Sequence, residues 1–409
     1  MYLTVPMVSR RGGFHSLGDL QFHRKVLKKS QPRLAGRFAL KPDVDLDDYT
    51  CRAVIDWIEI RFFLGRSTQF QWLRREIEEA IEANAYAVAL EEKAGGVTDV
   101  FDVRLQEPSI LQLRELERHF ERKYGLHMIP LVRSMEISVD FYPREQGEEA
   151  RARLHTALTR HFWTSQTFFQ APGSRPRFVP GLIKKVSHVV RYKSTASMQT
   201  NDHFAISTEE DQPPSVDTTY YIGPKEGPVS WRIMDKVVDN QNRATGTRRE
   251  LAEAEKRTRI EVTLGQTPLS SVGVEHLYDL EKLNFARLQG EFFKFMLPTF
   301  VDERQLKPGR RVAMMAWTER RRAEKFRNAG VIGLQVMDDA LKRKEKPVRK
   351  DLLAHLARKG LKARPSPRHG KGPVGNLVAY EEINERVGIA LRNLGKRVAG
   401  DFSAVLHSS

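Results

Sequence analysis

The sequence predicts an α+β protein: a central, mostly antiparallel sheet with helices on one face, followed by a basic helical C-terminal region. Two kinds of stretch and their order lead to this class. Short stretches alternate apolar and polar residues at period two, as half-buried strands do. Longer stretches between them repeat their apolar residues at helical spacing. The order is strand, helix, strand, helix, strand, helix, then strands again, which suits one antiparallel or mixed sheet covered by helices on one face.

At 409 residues the chain has room for two or three domains and an ample core. Its 68 Lys and Arg against 52 Asp and Glu leave a formal net charge of +16. That balance favours polyanionic partners, nucleic acid first and an anionic membrane surface second. No apolar run approaches the ~20 residues that span a bilayer. The start, MYLTVPMVSRRGGF, lacks the long apolar stretch of a secretory signal. A single cysteine, Cys51, excludes an internal disulfide framework and fits a reducing cytoplasm.

Residues 1–48, with RRGG, HRKVLKK and QPRLAGRF, read as a basic arm, either a solvated tail or a strap along phosphates. Residues 49–270 form the α+β domain. CRAVIDWIEIRFFL is a strand with Ile58, Ile60 and Phe62 inward and Trp57, Glu59 and Arg61 outward. FQWLRREIEEAIEANAYAVALEE follows at helical spacing, and VTDVFDVRL alternates again. EPSILQLRELERHFERKYGL is a helix with Ser109 near its N-cap and Gly125 near its end. In RSMEISVDF, Ile137, Val139 and Phe141 share one face and Glu136, Ser138 and Asp140 the other. EEARARLHTALTRHFW is a helix that would carry His155 and His161 at its surface. Residues 165–216 are irregular apart from one short basic strand near Val186 to Tyr192.

DTTYYIGPKEGPVSWRIMDK then reads as two strands around a turn marked by Gly223-Pro224 and Gly227-Pro228, and RTRIEVTL as a third. Ser230, Arg232, Met234 and Lys236 share one face of the second, and Arg259, Glu261 and Thr263 one face of the third. So many charges make this a working surface, on which Met234 is out of character. Residues 271–364 are helical and basic, including HLYDLEKLNFARLQGEFFKFML, TERRRAEKFRNAGVIGLQVMDDALKRK and VRKDLLAHLARKGLK. Residues 365–375 are a linker by composition, and 376–409 hold a last amphipathic helix.

No Walker loop, dinucleotide fingerprint, zinc-ligand spacing or His-x-His strand is present. The carboxylates are the better candidates, since carboxylate oxygens suit Mg²⁺ or Mn²⁺, and such an ion polarises a phosphodiester. Glu136 and Asp140 lie four residues apart on a strand, about 13 Å, so at most one of them joins Glu261 on a single ion. Salt bridging to Arg133, Arg232 or Arg259 is the alternative.

The succession IDWIEIRF, VFDVRL, RSMEISVDF, YYIGPKEGPVSWRIMDK and TRIEVTL resembles the replication initiation factors of rolling-circle plasmids and filamentous phages. In that family an R-x-D-x-x-x-D strand, a Y-x-G-x-R/K hairpin, an R-I-Y-x-K strand and an R-x-E strand recur in this order. The likeness spans residues 50–265. It implies nicking of one DNA strand at an origin through a tyrosine, giving a 5′-phosphotyrosine, with a divalent metal held by carboxylates. By that resemblance Glu136, Asp140 and Glu261 are the metal ligands, with Glu136 replacing the family's first Asp. Tyr221, Gly223 and Lys225 match the hairpin, Arg232 and Lys236 the third motif, and Arg259 the fourth.

The family's tyrosine falls on Met234, and a thioether cannot attack phosphorus usefully. Tyr220 and Tyr221 are the alternative nucleophiles. Being consecutive, they face opposite ways, so one of them reaches the working surface. Arg232 and Lys236 would act beside the nucleophile, and Lys225, Arg259, Arg133, Lys184 and Lys185 would contact DNA. The expected partner is origin DNA, as duplex, hairpin or single strand; a helicase partner and a dimer stay open. Two readings stand, an initiator that still nicks and a DNA-binding factor on the same fold that has lost nicking. Nucleic-acid binding through charge alone is a third.

Overall fold

The computed structural model describes residues 3–11, 13–27, 34–81, 85–90, 96–165, 174–179, 186–191, 197–242, 247–302, 310–361 and 377–407. Lys184, Lys185 and the 365–375 linker lie outside the described residues. The chain opens with β1 (Leu3–Ser9), β2 (His15–Val26) and β3 (Arg37–Pro42). Next come β4 (Tyr49–Gln69), α1 (Phe70–Ala80), β5 (Ala85–Leu90), β6 (Val97–Gln106), α2 (Ile110–Tyr124), β7 (Leu131–Pro143) and α3 (Glu148–His161). Short elements follow: β8 (Phe162–Trp163), β9 (Arg177–Val179), β10 (Ser187–His188), α4 (Met198–Ile206) and β11 (Thr219–Ile222). Then come β12 (Val229–Lys236), β13 (Val238–Asn242), β14 (Thr247–Glu250) and β15 (Arg257–Gly265). The rest is α5 (Gln266–Ser271), α6 (Asp279–Lys282), α7 (Phe285–Phe292), β16 (Lys294–Val301), α8 (Arg310–Arg358), β17 (Leu377–Ala379) and α9 (Glu381–His407).

Nine strands form the main sheet in the order β10-β9-β11-β12-β15-β7-β4-β6-β5, each pair antiparallel. Its apolar face is buried through Ile60, Phe62, Ile137, Val139, Ile260 and Val262. Helices pack on this face: Phe120 of α2 sets its ring edge-on to Phe62 at 4.9 Å. On α3, Arg151 binds Asp235 of β12 at 2.8 Å, and its carbonyl accepts from Thr258 of β15 at 3.1 Å. The guanidinium of Arg397 on α9 donates to the Ala53 carbonyl of β4. Trp231, Val229 and Ile233 face inward as their alternation requires, and the Trp231 indole N–H donates to the Phe292 carbonyl at 2.8 Å. Ser109 caps α2 reciprocally with Gln112.

Five sequence expectations change, the first being residues 165–216, which hold the strand β9 and the helix α4 beside the short strand β10. Residues 1–48 hold three strands in place of an extended arm, with Val5, Met7, Leu20 and Phe22 buried and β3 paired to β16. Their inward residues are few, and the Lys, Arg and His of RRGG, HRKVLKK and QPRLAGRF dominate the stretch, so that it reads as a charged tail. The helix expected to run to Glu92 stops at Ala80, and Ala85–Leu90 pairs with β6 as an edge strand. KFMLPTFV is the strand β16 rather than a helix end, joined to β3, β8 and β17. His155 and His161 are buried, and burial pushes both imidazoles down to about 4. Each sits on the side of α3 turned toward the rest of the fold.

The C-terminal third is knitted into the fold as well. Helix α8 breaks at Gly330, whose φ of +66° and ψ of −163° are not helical. A side chain there would strain the backbone and place its Cβ 2.6 Å from the Arg160 carbonyl oxygen of α3, so glycine lets the two helices meet.

Candidate active site on the polar face

The register lines up the opposite face of the sheet in rows. One row runs Ser138, Glu261, Arg232, Tyr221 and Arg177 across β7, β15, β12, β11 and β9. Beside it lie the rows Asp140, Arg259, Met234 and Glu136, Thr263, Ser230. On β4 the pairing with β7 slips between Ile55 and Trp57, inserting Asp56 as the extra residue of a bulge. Ile55 pairs with Ile137 on the apolar side, whereas Trp57 pairs with Glu136 on the polar side. The bulge thus re-aims Asp56 toward the carboxylates, a common use of an extra residue beside a site.

Asp56, Glu136 and Glu261 offer carboxylate oxygens that all lie within 4.8 Å of one another. Asp140 stands outside this group. Its oxygens take Arg259 Nε at 2.5 Å and Nη2 at 2.7 Å, with Arg257 Nε at 3.1 Å. Of the three acids singled out in the sequence, Glu136 and Glu261 come together, and Asp56 takes the third place. A signal for Asp56 is present in the sequence: inward residues fall at odd positions 53 and 55, then at even positions 58, 60 and 62. Such a change of parity within one strand requires an inserted residue.

Two guanidiniums neutralise the group. Arg259 Nη1 reaches Asp56 Oδ1 at 2.5 Å and Glu261 Oε1 at 3.4 Å. Arg232 Nη2 reaches Glu136 Oε1 at 2.6 Å, and Thr263 Oγ1 donates to Glu136 Oε2 at 2.5 Å. Arg232 Nε lies 2.6 Å from Glu261 Oε2, close enough to pair but not in hydrogen-bond alignment. Among the described residues, that buried oxygen has no hydrogen-bond donor. Burial, together with the negative charge of Glu136 and Asp56, pushes the Glu261 carboxyl up to about 7 against the pull of Arg232 and Arg259. Asp56 goes the other way: burial raises it, but Arg259, Lys236 and Arg232 together outweigh burial and hold it below the usual carboxylate range.

The donor set fits a hard divalent cation, having three carboxylates and one buried oxygen without a hydrogen bond. Arg232 stands against two of the three, so its guanidinium and such an ion would compete for Glu136 and Glu261.

The two tyrosines separate as their adjacency requires. Tyr220 is buried on the helix side, where burial holds its phenol far above its ordinary value, and it is out of reach of the polar face. Tyr221 is half-buried on the polar face, opposite Arg232, with the Arg177 guanidinium 5.5 Å from its ring centroid. Arg177 also donates to the Gly223 carbonyl at 2.8 Å, tying the ring's neighbour to the hairpin turn. Gly223 has φ +84°, and a Cβ there would meet the Val229 carbonyl oxygen at 2.8 Å, so the turn needs glycine.

Lys225 is exposed at that turn. Lys236 lies in the row with Arg257 and pairs with Asp239 at 3.3 Å. Arg133 binds Gln266 and lies three residues along β7 from Glu136, about 10 Å away. Met234 is half-buried, opposite Arg259 and diagonal to Glu261.

No family model matches the chain, and no curated protein matches it. Among solved structures it is similar to a rolling circle replication initiator protein from Geobacillus stearothermophilus. That likeness has a TM-score of 0.28 and 10% identity, over 66% of this chain and 97% of that one. At so low a TM-score it carries no weight for function.

Proposed function

We propose that this protein is a replication-initiator-like DNA-processing protein whose polar sheet face cuts and rejoins one DNA strand. The observation that carries this reading is the convergence of Asp56, Glu136 and Glu261 around a buried oxygen without a hydrogen-bond donor, in the same row as Tyr221. A divalent cation held by these three carboxylates would polarise the scissile phosphodiester. Tyr221 Oη would attack phosphorus while the P–O3′ bond breaks. The phenol gives up its proton, the departing 3′-oxygen gains one, and the 5′-phosphate stays on the tyrosine. Arg232 and Lys236 would balance the phosphate charge, and Lys225 would meet the strand beside the hairpin.

A second reading has an observation of its own. Arg232 already neutralises Glu136 and Glu261 from within the chain, and a methionine sits beside them at position 234. Both suit a DNA-binding factor that has stopped cutting.

Labelled single-stranded oligonucleotides and a supercoiled plasmid carrying the DNA that flanks the coding sequence, incubated with Mn²⁺ and run on denaturing gels, separate the two. The cutting reading expects a covalent adduct from wild type and none from Tyr221→Phe. DNA binding with no adduct from wild type leaves the binding factor.

A further inference from the structure

Two Lys/Arg-dense stretches lie on α8, and the fold treats them differently. In the first, around TERRRAEKFR, most charges are paired off within the molecule, with Arg320 and Arg327 left exposed. Lys325 is fully buried, with Nζ 2.8 Å from Asp211 and 2.8 Å from the Ser207 carbonyl. Arg322 pairs with Asp338, Arg321 with Glu324 at 3.4 Å, and Glu319 with Arg37 at 3.5 Å. This stretch is part of the core.

The second stretch stands away from the body. From residue 342 to 361 every residue is exposed except Leu356, which is half-buried, and the helix runs to Arg358. Its seventeen helical residues from Lys342 to Arg358, with Pro347 inside the run, make a rod-like arm of up to about 25 Å. Arg343 is held by Asp202 at 2.6 Å at the base. Beyond it, Lys344, Lys346, Arg349, Lys350 and Arg358 have no ion-pair partner among the described residues, against the two acids Glu345 and Asp351.

We infer that this rod is a docking arm for duplex DNA. A free helix with this charge excess attracts a polyanion and repels a second copy of itself. The length matches about seven base pairs of B-form duplex, and a single helix fits the ~12 Å major groove. The sequence KRKEKPVRKDLLAHLAR has no Phe, Tyr or Trp on which unpaired bases could stack, which argues against a single strand. Val348, Leu352 and Leu356, four apart, form a narrow aliphatic stripe able to contact thymine methyl groups between the flanking basic residues. The inference rests on DNA as the partner and divides the work, with duplex on the rod and the processed strand on the sheet.

The test uses the full chain with Lys344→Gln, Lys346→Gln, Arg349→Gln and Lys350→Gln combined. All four side chains are exposed and unpaired, so the variant should keep wild-type circular dichroism. Affinity for a 20-base-pair duplex and for a single strand of equal length is measured by anisotropy across a salt series. The expected result is a duplex salt slope shallower by roughly 3 to 4 and at least a tenfold loss at about 100 mM salt, with single-strand affinity within twofold. An unchanged duplex slope overturns the inference, as does an equal loss for both DNAs. Loss of binding to phosphatidylserine vesicles with duplex binding intact would make the rod a membrane arm and overturn it too. A wild type that binds neither DNA fails the DNA reading itself, whereas a wild type that binds both but is unmoved by the four changes fails only the rod.

Discussion

The polar face has an inner and an outer half, each built on one arginine. In the inner half, Arg259 is 1% exposed and its guanidinium is shared among Asp140, Asp56 and Glu261. In the outer half, Arg232 is 31% exposed and meets Glu136 and Glu261, the latter at an oxygen left without a hydrogen bond. The inner half is saturated, with Arg259 and Asp140 sealed from solvent as in a structural ion network, and Asp56, 15% exposed, joins it to the outer carboxylates. The outer half keeps unused acceptor capacity on Glu261, and solvent reaches it only past Arg232, since Glu136 and Glu261 are themselves buried. The same residue types, one strand apart, therefore do different work.

The largest effect should come from the sealed half. Arg259→Met would leave the buried Asp140 and the half-buried Asp56 without their main counter-charge. Breaking a buried pair from one side costs about 3–5 kcal/mol, read by chemical denaturation at neutral pH. A loss below about 1 kcal/mol would mean that water reaches this layer and that the two halves are alike.

Next comes the outer half, through Glu261. Its folded carboxyl titrates near 7, above the ordinary value of 4.5. The folded state therefore holds a proton that the unfolded chain has released between those values. Stability contributed by this group is full below about 4.5 and is lost as pH rises to about 7, a loss of about 3 kcal/mol. Glu261→Gln should flatten that part of the pH–stability curve. A divalent cation needs the ionised form, so Mn²⁺ should raise the wild-type melting temperature more at pH 8 than at pH 5.5 and leave Glu261→Gln unmoved. Equal stabilisation of both proteins by Mn²⁺ would take Glu261 out of the site.

Much of this face was legible in the sequence, because strand alternation fixes which side chains share a side. The alternation places Glu136, Asp140, Arg232, Arg259 and Glu261 on faces of three strands, and the structure joins those faces into one. Asp56 was harder to see because a bulge breaks the alternation that makes strands readable. The exclusion of Asp140 was harder still: the pattern gives a side chain's face but not which guanidinium will claim it. Tyr220 and Tyr221 could only be placed relative to one another until pairing with β12 fixed which one faces outward. The N-terminal strands escaped although β1–β2 and β2–β3 pair locally, because the Lys, Arg and His of the stretch mask their few inward residues; only β3 reaches β16, more than 250 residues away.

The smallest effect on stability, and the sharpest on function, belongs to Met234. It sits on the boundary between the halves, opposite Arg259 and diagonal to Glu261, which puts its backbone about 7–8 Å from that carboxylate's strand position. Tyr221 is in line with Glu261 but two strands away, about 10 Å. A phenol at 234 would therefore reach the carboxylates from closer than Tyr221 does. The site is half-buried and its neighbours are charged, so Met234→Tyr should change stability by less than about 0.5 kcal/mol. If the outer half is a working site that lacks only a well-placed nucleophile, Met234→Tyr combined with Tyr221→Phe should form a covalent adduct with single-stranded DNA in Mn²⁺. Glu261→Gln added to that pair should abolish it. If the pair stays inert while both DNA binding and Mn²⁺ stabilisation are intact, the outer half binds without cutting, and its difference from the inner half is one of access alone.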